Sequence, residues 1–255
     1  MPKRNVWEKR LLLALLPLAS VPMRADAATI SLGSAHSFAA LASATVTNAG
    51  ASVVTGQVGV APGTSITGFQ FATQIGGTLH SNDALSIEAI VDAQDAYDEM
   101  GLIATATDLT GQDLGNRTLT PGVYRFSSSA QLTGTLTLDG LGQASPEFIF
   151  LVGSSLTTAS GSSILPTNGA DALLGVFFRM EESATLGTGT TFAGNIIAGD
   201  SVTLTTGASV LGSVIALGGA VTLGTNIVTI PESSSSALIA VAMAAFLGRR
   251  RRRVA

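Results

Sequence analysis

The sequence predicts a mainly β chain: a β-helix, or solenoid, with one long α-helix packed alongside. Three observations carry this. Short segments recur at intervals of eighteen or nineteen residues in the last third of the chain. Small and β-branched residues dominate, with 46% hydrophobic residues and 29 glycines but only 5% aromatic and 12% charged residues. One stretch, residues 83–104, has helical instead of strand periodicity.

The repeat is the strongest of the three. Gly194-Asn195-Ile196-Ile197-Ala198 returns eighteen residues later as Gly212-Ser213-Val214-Ile215-Ala216. Thr185-Leu186-Gly187-Thr188 returns as Thr203-Leu204-Thr205-Thr206 and, nineteen residues on, as Thr222-Leu223-Gly224-Thr225. Ser155-Leu156-Thr157-Thr158 is an earlier, looser copy. A period near twenty, rich in β-branched residues and punctuated by glycine, is one turn of a β-helix.

Alternation within each turn assigns sides to the residues. Leu156, Leu186, Leu204 and Leu223 form one inward column, Phe192 and Val210 a second, Ile197 and Ile215 a third. Gly194, Gly212, Ala198 and Ala216 suit corners, where the backbone turns sharply. Outward, the first column is Ser155, Thr185, Thr203 and Thr222, and the second is Thr158, Thr188, Thr206 and Thr225. A third, less regular column is Gly161, Thr191, Ser209 and Val228. Threonine is also a good strand residue on any sheet. What marks these columns is that no Lys, Arg, Asp or Glu interrupts them.

In residues 83–104, Ser81-Asn82-Asp83 supplies helix-cap chemistry. Ile87, Ile90, Val91, Gln94, Tyr97 and Gly101 recur at helical spacing, and Asp92, Asp95, Asp98 and Glu99 line the other side. The acidic run lacks the loop glycine and ligand order of an EF-hand, so a solvated helix face is expected. Strand alternation returns at Thr118–Thr137, with a turn at Pro121-Gly122. Phe148-Ile149-Phe150-Leu151 and Val176-Phe177-Phe178 are the most apolar strands and are expected to anchor the core beneath the helix.

Both ends read as addresses. Residues 1–27 have a basic start (Lys3, Arg4, Lys9, Arg10), an apolar run from Leu11 to Pro22 and a small-x-small site at Ala25-Asp26-Ala27. That pattern is a secretory signal cleaved after Ala27, with an uncleaved anchor or a disordered leader as the alternatives. Residues 231–255 begin with Pro231-Glu232, continue through four serines and an apolar run from Ala237 to Leu247, and end on five arginines followed by Val254-Ala255. The apolar run is short for a full span, and its arginines favour the cytoplasmic side. The order of motif, apolar helix and basic tail resembles the PEP-CTERM sorting signals of some Gram-negative bacteria, with Ser233 where that family has a second proline. A plain C-terminal membrane anchor reads the same residues. Either way, the C-terminal segment implies transient or permanent membrane contact, and the chain is expected outside the cell or on its surface. The central domain is residues 28–230.

Charge excludes several function classes. Residues 28–230 carry three arginines (Arg117, Arg125, Arg179), no lysine and fourteen acidic residues, a net of −11. A phosphate-binding surface needs clustered Lys and Arg, so nucleic acid is a poor partner. There is no cysteine, hence no disulfide framework or thiolate metal site. The two histidines, His36 and His80, and the adjacent Glu181-Glu182 make a poor set of acid–base groups, so no catalytic residues, metal or cofactor are expected. His80, next to Ser81-Asn82-Asp83, reads as a helix-start feature.

From about Ile30 to Thr229 the chain resembles the microbial ice-binding proteins with a discontinuous β-solenoid. The matching stretches are Ser37-Phe38-Ala39-Ala40-Leu41-Ala42, Thr45-Val46-Thr47-Asn48, Gly56-Gln57-Val58-Gly59-Val60, Thr120-Pro121-Gly122-Val123-Tyr124 and the Gly-x-x-x-Ala repeats. The resemblance implies a right-handed β-helix of triangular section, N-terminal strands paired out of order with the C-terminal coils, no catalysis, and an ice crystal surface as partner. Some members carry Thr-(Ala/Gly)-x-(Thr/Asn) on the binding face. Thr188-Gly189-Thr190-Thr191 matches fully, Thr206-Gly207-Ala208-Ser209 ends in Ser, and Thr158-Ala159-Ser160-Gly161 ends in Gly. The candidate ice-binding set is therefore Thr45, Thr47, Ser155, Thr158, Thr185, Thr188, Thr191, Thr203, Thr206, Ser209, Thr222 and Thr225, on a monomeric solenoid. The competing reading is a surface structural or adhesive solenoid that holds a matrix polymer or partner. Sugar binding would favour an aromatic row, and Trp7, Tyr97 and Tyr124 are the chain's only Trp and Tyr residues.

Overall fold

The structure is a computed structural model and describes residues 30–171 and 175–230. The expected signal (residues 1–27) and the C-terminal segment (residues 231–255, with Pro231 and Glu232) lie outside the described residues.

Among the described residues, strands form three sheets of nine, seven and eight members, and every pairing between the named strands is parallel. The chain visits the sheets in rotation. Asn195–Ala198 lies in the first, Val202–Leu204 in the second and Ser209–Leu211 in the third, and Val214–Ala216 returns to the first. Each strand pairs with its counterpart one coil further on, and three sheets around one interior give the triangular section. The corner into the first sheet needs glycine. Gly194 has φ 141°, and a Cβ there would stand 2.7 Å from Val176 Cγ1.

The N-terminal strands do not open the solenoid but close it. Phe38–Ala42 pairs with Val214–Ala216, Thr45–Asn48 with Ala220–Leu223, and Val53–Thr55 with Ile227–Thr229. An exposed row of unpaired backbone N–H and C=O groups on the C-terminal coil is thereby covered. This is the out-of-order pairing that the resemblance implied.

The interior changes character along the axis with coil size. Between Leu156 and Ala184 the coil repeat is 28 residues, as it is between Thr135 and Ser163. From Ser201 to Ala220 it is 19. The larger coils are filled by an aromatic stack: Tyr124 on Phe150 at 5.4 Å, Phe150 on Phe178 at 4.2 Å, and Phe178 against Phe192 at 4.9 Å between ring centroids. The smaller coils hold Ile196, Val202, Val210, Val214 and Val221, all buried.

Two expectations about columns are corrected. Leu156 is inward but pairs with Ala184, not Leu186. Ile197 and Ile215 are buried on the outside of the first sheet, under the helix, while Ile196 and Val214 fill the interior. All four residues read as apolar, and only the packing of the helix tells the two sides apart.

The helix, the one α-helix among the described residues, spans Ala84–Gly101, inside the expected 83–104. Asp83 caps it: its carboxylate accepts from Ser86 N at 2.9 Å, and Asp83 N donates to Ser86 Oγ at 3.1 Å. The buried stripe is Ser86, Ala89, Ala93, Ala96, Tyr97 and Met100. Ile87 and Val91, expected on the apolar face, are 47% and 53% exposed. The sheet beneath already presents Ile149, Leu151, Phe177, Ile197 and Ile215, so the closest helix positions must be small. Asp92, expected on the solvated face, accepts from Ser34 N and Oγ, both at 2.6 Å. Arg179 stacks on Tyr97 at 3.9 Å from the ring centroid and donates to Tyr97 O at 2.9 Å.

Candidate functional site

The helix covers the first sheet, which leaves the outer faces of the second and third sheets for function. In six successive strands of the second sheet the residue at the centre of the outer side is a threonine, and these form one rank, Thr157, Thr185, Thr203, Thr222, Thr47 and Thr67, with Gln131 at the same position on the seventh strand. The residues on either side of the first five, such as Ala184, Leu186, Val202 and Leu204, are buried in the core, and Ile66 beside Thr67 is partly buried against it. Thus the alternation that fills the interior also forces these six threonines outward. Neighbouring strands in a sheet lie about 4.7–4.9 Å apart, so methyls and hydroxyls repeat at that interval.

Four of the six hydroxyls, those of Thr157, Thr185, Thr203 and Thr222, make no hydrogen bond among the described residues, and Thr67 Oγ1 lies 3.4 Å from Thr47 Oγ1. Two residues earlier runs a rank that includes Thr45, opposite Ala220 and Ser65, and continues through Ser201, Ser183 and Ser155. Its edge is less free. Glu182 accepts from Ser154 Oγ at 2.7 Å and Ser155 Oγ at 3.1 Å, which ties the Ser155 hydroxyl to a charged group.

Thr188, Thr206 and Thr225 stack at the corner that leads into the third sheet and are exposed. Gly189 N donates to Thr206 O and Gly207 N to Thr225 O, which holds the corner column in step.

The twelve residues proposed from sequence therefore divide. Thr45, Thr47, Ser155, Thr185, Thr203 and Thr222 lie on the second sheet, with the corner column beside them. Thr191 and Ser209 lie on the third sheet, paired with each other and with Ser163 and Ile227. Val228, placed with them from sequence, is buried in the interior. Thr158 is also buried: its Oγ1 sits 2.8 Å from Thr190 Oγ1 and accepts from Gly187 N at 2.9 Å. It occupies the inward position that Leu186 and Leu204 fill on later coils.

The error at Ser155–Thr158 is one of register. Extending the eighteen-residue pattern backwards matches Leu156 to Leu186, thirty residues apart, whereas this coil is 28 residues long. The slip of two preserves the in–out alternation but moves each residue to the next position along. It also hid Thr157, the true member of the rank. Thr67 was missed although Ser65-Ile66-Thr67 repeats the pattern of Thr45-Val46-Thr47 twenty residues on.

His80 sits at the helix start. Its Nδ1 is 2.7 Å from Asp83 Oδ2, and its Nε2 is 2.9 Å from Thr78 Oγ1 and 3.0 Å from Gln57 Oε1. These contacts join the helix cap to the strand beside it. Among the described residues no group of three His, Cys, Asp or Glu could hold a metal ion.

The chain matches the family model described as "Ice-binding-like" over residues 40–229. It is 52% identical over 218 residues to the ice-binding protein of Nostoc sp. (strain HG1), a match covering 85% of this chain and 80% of that protein. Its fold is similar to the crystal structure of an ice-binding protein from the Antarctic ascomycete Antarctomyces psychrotrophicus, with a TM-score of 0.76 and 43% identity over 80% of this chain and 100% of that one. An ice-binding protein from an Antarctic biological consortium gives a TM-score of 0.76 at 40% identity, over 79% of this chain and 91% of that one.

Proposed function

This chain belongs to the ice-binding-like family, and on that premise we propose that it adsorbs to ice through the outer face of its second sheet. The observation that carries the assignment is the unbroken rank of Thr157, Thr185, Thr203, Thr222, Thr47 and Thr67. Parallel pairing fixes the interval between neighbours, and the packed interior holds every coil in place. Each threonine offers a methyl, which orders adjacent water, and a hydroxyl, which can take a place in that ordered layer. Each contact is weak, but a rigid array loses little entropy when all of them form together. A charged side chain in the rank would hold its own hydration shell in another geometry. None is present in the six positions, and Glu182 and Asp200 stand at the edge.

No catalytic step enters this reading: the surface acts by shape and by its order of water. Growth of an ice front between adsorbed molecules becomes curved and therefore less favourable, which stalls recrystallisation. Purified protein should shape single ice crystals and keep grains small in an annealed polycrystalline film. Normal crystal growth in the presence of the folded protein would refute the assignment and favour a surface scaffold or adhesin.

Export rests on the amino-acid pattern of residues 1–27, and surface delivery with membrane contact on that of residues 231–255, including Pro231 and Glu232. A mature N-terminus at Ala28 in secreted material would support the first. The solenoid is read as a monomer, since one chain supplies the whole rank.

A further inference from the structure

The two ends of the solenoid differ in chemistry. At one end the last coil consists of Ser65–Thr67, Thr73–Ile75 and Leu79–Ser81, each the terminal strand of its sheet, so no further coil covers its outer side. Three large apolar side chains of this coil face water: Phe71 at 67%, Ile75 at 49% and Leu79 at 45% exposure. No Asp, Glu, Lys or Arg lies between Ile30 and Asn82, so the whole net charge of −11 falls on residues 83–230. Asp83, which follows the coil, is engaged in the helix cap. At the opposite end the terminal strands are Thr107–Asp108, Arg117–Leu119 and Ala130–Leu132, and Asp108, Asp113 and Arg117 bring charge there. Grouped apolar side chains on an uncharged surface mark a contact site, because solubility alone would be better served by polar groups.

The place where the chain leaves the described residues says what the contact is. Ile230 N donates to Thr55 O at 3.0 Å, and Thr55 pairs with Ile75 of the end coil. The exit therefore lies two strand spacings, about 10 Å, from the end coil. Seven residues further on begins the apolar run from Ala237 to Leu247, within a reach of about 25 Å at full extension.

We propose that the outer side of this end coil rests on a phospholipid bilayer, with Phe71, Ile75 and Leu79 set into its interface. The inference rests on the reading of residues 231–255 as a membrane-contacting segment and adds which end of the domain meets the lipid. An aromatic ring beside aliphatic groups suits the headgroup level, where water still reaches the unpaired backbone groups of the edge strands. An anionic leaflet repels the acidic remainder of the domain but not this neutral end. Edge pairing with a second copy is poorly served, because each of the three strands is only three residues long. The threonine rank then starts at Thr67 beside the membrane and runs away from it along the solenoid.

The experiment uses the full chain, which has no cysteine, with a single introduced thiol carrying an environment-sensitive fluorophore. Gln70→Cys, beside Phe71, reports on the end coil, and Thr118→Cys reports on the opposite end; both positions are exposed. Each protein is mixed with vesicles of phosphatidylcholine and phosphatidylglycerol, with and without nitroxide-bearing lipid, and sedimented with them. On vesicle-bound protein the label at position 70 is expected to shift to the blue and to be quenched by the nitroxide lipid, and the label at position 118 to do neither. Adding Phe71→Ser and Ile75→Ser should return the first label to water while the protein still sediments with the vesicles. Ice shaping by that variant should be unchanged, since both residues lie outside the threonine rank, and this also shows that it folds. Bound protein with the label at position 70 as wet as that at 118, or a shift that the serine substitutions leave in place, would overturn the proposal and leave the C-terminal reading standing. A blue shift without vesicles that fades on dilution would overturn it in favour of a second copy of this chain, and one that persists on dilution in favour of the chain's own residues 231–255. Failure of the full chain to sediment with vesicles would refute the membrane reading of residues 231–255 and this proposal with it, leaving the ice-binding assignment untouched.

Discussion

Thr203 stands directly opposite Thr222 on the next coil, both side chains pointing away from the interior and neither hydroxyl bonded within the described residues. Thr185 flanks Thr203 on the other side, so Thr203 is central in the rank. Thr203→Tyr should lower recrystallisation inhibition by about tenfold or more, a loss of roughly 1.4 kcal/mol of adsorption energy for each factor of ten. The far-ultraviolet circular dichroism should be unchanged. Full activity in that variant would move the site off the second sheet.

Thr158 offers the opposite test. Its hydroxyl is buried against Thr190 Oγ1 and Gly187 N. Thr158→Val keeps the shape but leaves those partners unsatisfied, which should cost about 1–3 kcal/mol of stability in a denaturant titration. Ice shaping at low temperature should remain. A variant of normal stability but reduced ice activity would place Thr158 outside after all.

The helix cap should respond to acid. Backbone donation from Ser86, and after it the His80 side chain, hold the Asp83 carboxyl down from its ordinary 3.8 to about 2. A carboxyl depressed by folding stabilises the native state above its unfolded value, and that contribution disappears as pH falls through the folded value. Helix protection, followed by amide exchange, should therefore decline between pH 3.8 and about 2. Asp83→Asn keeps an acceptor for the cap and should flatten the profile in this window. An unaltered acid profile in Asp83→Asn would remove the cap as its cause.

The small stripe of the helix can be probed by size. Ala93 is fully buried against the first sheet, whereas Val91, two residues away, is 53% exposed. Ala93→Leu should destabilise by about 1–3 kcal/mol through overpacking. Val91→Ala should stay within about 0.5 kcal/mol, as exposed substitutions do. The reverse ranking in thermal unfolding would mean that the apolar stripe read from sequence is the buried one.

Much of the architecture was legible in the sequence because a solenoid writes its period into it. Gly194 and Gly212 mark equivalent corners, and Thr185, Thr203 and Thr222 fall in one column because each coil between them has nearly the same length. Local alternation then gave the sides of Leu186, Leu204 and Leu223 without help from distant parts of the chain, and Asp83 announced the helix start by its own chemistry.

What the sequence could not fix is whatever depends on a partner element far away along the chain. The 28-residue coil placed Thr157 in the rank and sent Thr158 inside, in the same register that stacks Phe150 on Phe178 and not that of the later, shorter repeats. Ile196 and Ile197 are chemically alike, and only the docked helix makes Ile197 part of a second core. The helix in turn buries Ala89 and Ala93 and exposes Ile87, because the surface it meets is already filled with large side chains. The position of Thr47 and Thr67 at the end of the rank follows from N-terminal strands closing an edge made by Ala220–Leu223, a pairing across more than 170 residues. Period and composition are local properties and can be read from the chain alone, whereas register, the second core and the extent of the threonine face are decided by packing.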